Sequence, residues 1–141
     1  MPLPQWSAAD SLGDPQVDGE HQRLLNLLHW LESELYLERD MDNAKVAALA
    51  QEFNRHVDEH FFHEETLMDS IPGLAPAEKA AHARDHEHWR LRIREHLPAL
   101  LRANTDLERR AHLARLLRVG KEFWEQHFQT FDRRLLSHVG H

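Results

Sequence analysis

The sequence predicts an all-α protein, an up-down-up-down four-helix bundle with an irregular N-terminal arm. Only 5 glycines and 6 prolines occur among the 141 residues, and long stretches are rich in Leu, Ala, Glu and Arg, which favour helices. Apolar residues recur at alternate steps of three and four through four such stretches. A chain of this length suits one domain with a single core.

The first half of the chain divides at its prolines and glycines. We expect residues 1–17 to form an irregular arm packed on the bundle, and residues 18–141 to form the four-helix domain. The first helix is predicted from about Asp18 to Glu38. A short turn, RDMDN, separates it from a second helix that ends near Ser70.

The second half contains the other two predicted helices. Pro76 is a suitable first-turn proline and opens the third helix. This helix is predicted to run to about Pro98 or a little beyond, because an internal proline ends or kinks a helix. Thr105 and Glu108 have the spacing of a capping box, which predicts a fourth helix from there to about Ser137.

Composition excludes several classes of function. A formal charge of −7 argues against nucleic acid or an acidic membrane surface as a partner. The absence of cysteine excludes disulfides, thiolate zinc sites and iron–sulfur clusters. The first residues, MPLPQWSAAD, do not resemble a signal peptide, and no apolar stretch approaches the ~20 residues that span a bilayer. We therefore expect a cytoplasmic monomer without a membrane partner.

The chain contains 13 histidines, and each predicted helix places at least one within its apolar stripe. They fall near the start of helix one, the end of helix two, the start of helix three and the end of helix four. In an up-down bundle these segments share one end of the molecule. The inward-facing polar residues of these segments are His21, His60, Glu64, His82, His86, His127 and Asp132.

Helical spacing supports most of this convergence. His60 with Glu64, and His82 with His86, are four residues apart and share a helix face. His127 and Asp132 are five apart, about 140° around a helix of 3.6 residues per turn, which is the weakest geometric link. Glu65 is predicted to face outward.

A bound cation explains these residues better than a metal-free polar core does. Each unpaired buried ion costs several kcal/mol, which a cation offsets more completely than pairing among imidazoles and carboxylates. Seven protein ligands are too many for one ion, so a two-metal site bridged by carboxylates is the better interpretation. Mixed imidazole and carboxylate ligands favour iron, with manganese, zinc or copper as alternatives.

Four segments resemble the motifs of one family. They are LGDPQVDGEHQRLLNLL (12–28), HFFHEETLM (60–68), HARDH (82–86) and HFQTFD (127–132). In this order and at these separations they are similar to the bacterial hemerythrins, four-helix proteins that bind dioxygen at a non-haem di-iron centre. The fold and the site predicted from the residues are also those that the resemblance implies.

The resemblance implies a role for each predicted ligand. Two iron ions would be bridged by two carboxylates and by a solvent-derived oxo or hydroxo group. One ion would take three imidazoles, and the other would take two and keep a free position. The implied ligands are His82, His86 and His127 for the first ion, His21 and His60 for the second, and Glu64 and Asp132 for both.

The implied function is reversible binding of dioxygen for storage, delivery or sensing, with no catalytic residue. Nitric oxide or small anions such as azide would bind at the same free position. The alternatives are a di-iron redox enzyme, either an oxidase, a peroxidase or a nitric-oxide-handling protein, or an iron storage or sensing module. Candidates for the apolar wall of the oxygen pocket are Leu24, Leu28, Phe61 and Trp124.

Two residues depart from the family's usual pattern. Glu20 stands where glutamine is common, just before the first ligand. Trp124 occupies a pocket-facing position that is often leucine, so its indole is expected to narrow the oxygen pocket.

Overall fold

The computed structural model, which describes residues 3–37 and 39–138, is an all-α four-helix bundle, as the sequence predicts. The long helices are α1 (Pro15–Leu35), α2 (Asn43–Asp69), α3 (Pro76–Arg102) and α4 (Asp106–Phe123). Helices α1 and α3 each pack against both α2 and α4, which closes the bundle. Within the described ranges no helix is long and apolar enough to cross a membrane.

Helix α1 begins earlier than the sequence predicts. It starts at Pro15 rather than near Asp18, because Asp14 accepts hydrogen bonds from two backbone N–H groups of the first turn, at 2.9 and 3.1 Å. A proline at the first helical position needs no N–H partner, so it belongs to the helix and not to the arm. The helix ends at Leu35, and the predicted end at Glu38 lies outside the described residues.

The connection between α3 and α4 also differs in detail. Helix α3 continues past Pro98 to Arg102. Thr105 caps α4 as predicted, its hydroxyl oxygen accepting from the Glu108 backbone N–H at 3.1 Å. The Glu108 carboxylate accepts from the backbone N–H of Asn104 at 3.1 Å, one residue before the position that a capping box requires.

The fourth helical stretch reaches Leu136, next to the predicted end at Ser137, but it is not α-helical throughout. The α-helical hydrogen bonding of α4 stops at Phe123, and a π-helical segment, Trp124–Asp132, follows. A short helix, α5 (Arg133–Leu136), follows this segment directly. Periodicity does not reveal this change, because apolar residues still recur at intervals of three and four across it.

The N-terminal arm lies against the bundle where α4 passes into the π-helical segment. Leu3 is buried with the core, and Trp6 meets Trp124 edge-to-face with ring centroids 6.2 Å apart. The His29 ring donates from Nε2 to the Pro4 carbonyl oxygen at 2.8 Å. The division into an arm and one four-helix domain stays a prediction, which these contacts support.

A group of charged contacts around Arg110, here called the clamp, holds the end of the bundle where α1 is connected to α2. Arg110 donates to the Asp106 carboxylate at 2.6 Å and to the carbonyl oxygens of Leu35 and Arg39 at 2.6 and 2.7 Å. Asp106 also accepts from the backbone N–H of Met41 at 2.8 Å. The side chain therefore joins α4 to the turn between α1 and α2 and satisfies carbonyls that a helix end leaves free.

We expect Arg110→Gln to lower the free energy of unfolding by about 1–2 kcal/mol, because several charge-assisted hydrogen bonds to the turn are lost. Urea denaturation measures this change. The matched control is Arg115→Gln, at an exposed position of the same helix, which should change stability by less than about 0.5 kcal/mol. Equal effects of the two substitutions would contradict the clamp.

Candidate metal centre

The predicted polar residues converge at one end of the bundle, inside its core. They come from the start of α1, the end of α2, the start of α3 and the π-helical segment, and each is at most 3% exposed. Their ligand atoms form two groups that share Asp132. The first group is Glu64, His82, His86, His127 and Asp132, and the second is His21, His60 and Asp132.

The first group surrounds Glu64 and Asp132 with three imidazoles. The Nε2 atoms of His86 and His127 lie 3.2 and 3.4 Å from Glu64 Oε1. His127 Nε2 is also 2.9 Å from Asp132 Oδ1, and His82 Nε2 is 3.3 Å from the same oxygen. One imidazole nitrogen from each of three side chains therefore faces the two carboxylates.

The second group has two imidazoles. The Nε2 atoms of His21 and His60 lie 2.9 and 3.2 Å from Asp132 Oδ2 and 3.2 Å from each other. His60 Nε2 is also 3.1 Å from Glu64 Oε1, so both carboxylates contact both groups. The structure thus divides the imidazoles three to two around a shared carboxylate pair.

The π-helical segment explains how His127 and Asp132, five residues apart, reach the same centre. In an ideal α-helix, His127 and Asp132 would point about 140° apart. Backbone hydrogen bonds that run from residue i+5 to residue i instead stack residues five apart on one face. The local change of helix type therefore lets one short segment supply an imidazole and a carboxylate to the same centre.

Three carboxylates outside the predicted set hold the outer nitrogens of three histidines. Because a carboxylate only accepts, each ring donates from Nδ1. His60 donates to Glu20 at 2.8 Å, His86 to Glu65 at 3.2 Å, and His127 to Asp85 at 2.6 Å. Such bonds fix the ring orientation and direct the Nε2 lone pair toward the centre, as they do in metal sites.

These carboxylates follow a pattern that sequence reasoning missed. Glu20 and Asp85 each precede a predicted ligand in the chain and Glu65 follows one, and each bonds a histidine of the next helix in chain order. Glu65 does not simply face outward, since its side chain is 34% exposed and reaches His86. An acidic residue next to His21, Glu64 and His86 was the available signal, but a single helix face does not show which neighbouring helix that residue reaches.

The four predicted wall residues are all buried, and the two aromatic ones lie beside different groups. Phe61 stacks on His86 with ring centroids 4.0 Å apart, beside the three-imidazole group. Trp124 meets His21 edge-to-face at 6.3 Å, beside the two-imidazole group. Leu24 and Leu28 belong to the same apolar core. That these side chains line an oxygen pocket stays a prediction.

Phe128 is a further aromatic contact that the sequence interpretation did not include. Its ring stacks on His21 with centroids 4.2 Å apart and meets His60 edge-to-face at 5.5 Å. It also packs against Trp124 at 5.1 Å. The two-imidazole group is therefore bordered by two large aromatic side chains, which keep water away from that side.

Charges within the cluster are compensated by protons when no cation is present. Burial and the neighbouring Asp132 charge oppose ionisation of Glu64, yet His60 and His127 lower its pKa to about 2. Burial opposes ionisation of Asp132 as well, but His127 and His21 hold its pKa well below the usual range. Two buried carboxylates therefore remain ionised and require positive charge nearby.

That charge resides on two of the imidazoles. Burial lowers the pKa of His60 and of His127, but the carboxylates around them raise both pKa values well above 6.5. His86 differs, because burial outweighs its contact with Glu64 and lowers its pKa. The pairing stabilises the metal-free fold fully between about pH 4.5 and pH 6.5. This contribution is lost as the pH rises through the two raised imidazole pKa values, or falls through the two lowered carboxylate pKa values.

The donor set fits a pair of cations. Among the described residues, His82 Nε2 and Asp132 Oδ1 are buried and have no partner with hydrogen-bond geometry, although Asp132 Oδ1 lies 3.3 Å from His82 Nε2 and 2.9 Å from His127 Nε2. Where Nδ1 carries the proton of a neutral ring, its bare Nε2 faces a carboxylate oxygen, which is repulsive unless a proton or a cation lies between them. Imidazole nitrogen and shared carboxylate oxygen are donors typical of iron, manganese and zinc.

The fold and this buried cluster define a class of helical cation-binding proteins. The family model of the hemerythrin HHE cation binding domain matches residues 12–139. The chain therefore belongs to the hemerythrin family, and the resemblance seen in the sequence is confirmed. No curated protein and no solved structure matches the chain.

We expect cation binding to release about two protons per chain near pH 7, because metal ions replace the protons on His60 and His127. Calorimetric titration with Co²⁺ in buffers of different ionisation enthalpy gives the number released. His112→Gln, which removes a histidine in the first half of α4 and outside the cluster, should leave that number unchanged. Binding without proton release would show that the cations do not occupy this cluster.

Proposed function

We propose that the protein binds two iron ions in this cluster and binds dioxygen reversibly there. The observation that carries the proposal is the unequal division of imidazoles, three in one group and two in the other, around shared carboxylates. The group with fewer imidazoles leaves room for an exogenous ligand. When bound, a pair of ferrous ions supplies the electrons for reversible dioxygen binding.

Each predicted ligand would hold one iron ion or bridge both. His82, His86 and His127 would hold one iron, and His21 and His60 the other. The carboxylates that contact both groups, Glu64 and Asp132, would bridge the ions. A donor set with more imidazoles than carboxylates favours reversible binding over the oxygen activation of carboxylate-rich di-iron enzymes.

The apolar neighbourhood supports binding rather than turnover. Trp124 and Phe128 cover the two-imidazole side, and both are 3% exposed. Small apolar molecules enter such a pocket more readily than water and ions do, so oxidation of the ferrous ions with the help of water would be slow. Storage, delivery or sensing of dioxygen fits this arrangement, with azide and nitric oxide as competing ligands.

Visible absorption of the purified protein tests the proposal. The protein is reduced without air, exposed to oxygen and purged with inert gas, with iron content measured in parallel. Two irons per chain and a coloured adduct that fades on purging are expected. Irreversible conversion to the oxidised spectrum, with sustained oxygen consumption when a reductant is added, would favour the redox enzyme instead.

The indole of Trp124 should control access to the two-imidazole side. We expect Trp124→Leu to speed azide association with the oxidised protein and its autoxidation in air several-fold, because the smaller side chain leaves space beside His21. Stopped-flow absorption measures the azide rate. Trp30→Leu, at a 47% exposed position of α1, is the matched control and should leave both rates unchanged.

Equal rates for the wild type and Trp124→Leu, with iron content preserved, would contradict this role. A loss of iron in the variant would instead show that the indole supports the ligands rather than the pocket.

A further inference from the structure

Cations must cross a well-packed shell to reach the cluster, since its side chains are at most 3% exposed. From the cluster toward the clamped end, the bundle is filled by apolar side chains such as Phe53, Phe61, Trp89 and Phe123, each at most 1% exposed. A hydrated divalent cation cannot pass through that region without losing its water. Its route must therefore be lined by polar groups.

One surface pocket reaches the cluster between α1 and α2. Its volume is about 330 Å³, and its wall includes His60 and Glu64 of the predicted ligands. Toward solvent the same wall carries Asp14, Glu20 and His63. Carboxylate oxygen and imidazole nitrogen therefore follow one another from the surface to the buried ligands, between the apolar side chains of Val17, Phe62 and Leu67.

Glu20 and His63 line both this pocket and a second one beside it. The second pocket, of about 360 Å³, shares both residues and opens toward His56 and Glu59. Glu20 accepts from His63 Nδ1 at 2.9 Å with one carboxylate oxygen and from His60 at 2.8 Å with the other. The His63 side chain is 47% exposed, so rotation of its ring frees an oxygen of Glu20 without disturbing the core.

A third pocket reaches the cluster from the opposite side but is less suited to cations. Of the predicted ligands it touches His82 alone, and its wall carries both Glu78 and Arg134, so the positive charge offsets the negative one. It lies over the first turns of α3, where the helix dipole is positive. The pocket between α1 and α2 borders both a helix start, at the first turns of α1, and a helix end, at the last turns of α2, and among the described residues its wall carries carboxylates without an arginine or lysine.

We infer that the pocket between α1 and α2 is the uptake route for the divalent metal ions, with Glu20 and His63 as the first protein groups to bind them. The inference rests on the metal centre of the proposed function. It assigns Glu20 a task beyond orienting His60, and it separates the polar route of the cation from the aromatic side where dioxygen is proposed to bind.

Charge substitutions at the mouths of the two pockets test the route. Thr66 lines the pocket between α1 and α2, Ala77 lines the pocket beside His82, and both are exposed helical positions outside the ligand set. Thr66→Lys and Ala77→Lys change the net charge of the protein equally. The rate of Co²⁺ uptake by the full-length apoprotein is measured by stopped-flow visible absorption at low salt, and final occupancy by metal analysis.

We expect Thr66→Lys to slow uptake about threefold and Thr66→Glu to speed it by a similar factor, because a unit charge near the path of a divalent ion raises or lowers its energy. Both effects should shrink in 0.5 M salt, whereas final occupancy should not change. Ala77→Lys and Ala77→Glu should leave the rate within experimental error of the wild type.

Equal rates in all variants, or a response confined to the Ala77 substitutions, would overturn the inferred route while leaving the metal centre intact. Failure of the wild-type apoprotein to take up Co²⁺ at all would contradict the metal centre and the route together.

Discussion

The structure depends on two ionised carboxylates, Glu64 and Asp132, buried in the middle of a helical bundle. Buried charges of this kind persist only when positive charge or hydrogen bonds compensate them. In the metal-free chain the imidazolium groups of His60 and His127 provide that compensation, and with cations bound the imidazoles from all four sides of the bundle would act as ligands. The need to bring these groups together explains the placement of polar residues at one end of each helix.

Three hydrogen bonds from the outer nitrogens of the histidines connect this centre to the packing of the helices. A carboxylate of α1 holds a histidine of α2, one of α2 holds a histidine of α3, and one of α3 holds the histidine of the π-helical segment. Each bond crosses a helix interface, so the alignment of neighbouring helices and the orientation of the ligands stabilise each other. The clamp at Arg110 fixes the far end of the same bundle, where the described residues form no such series of histidine–carboxylate bonds.

Helix periodicity is sufficient to predict the bundle, the buried stripes and six of the seven convergent side chains, because burial imposes a regular spacing on each helix. Asp132 lies outside the apolar stripe of the fourth helix. Periodicity could not predict the π-helical segment, since the spacing from Trp124 to Asp132 also fits an α-helix. Glu65 and Asp85 were missed for another reason: their partners lie on other helices, and one-dimensional spacing carries no information about contacts across an interface. The start of α1 at Pro15 depends on a side-chain cap by Asp14, which the proline-rich context of the arm concealed.

A crystal structure of the iron-loaded protein, with anomalous scattering recorded on both sides of the iron absorption edge, tests the central claim most directly. The account predicts two iron peaks per chain, one beside His82, His86 and His127 and the other beside His21 and His60, with Glu64 and Asp132 between them. A cluster without iron, or a single iron bound at the protein surface, would contradict it.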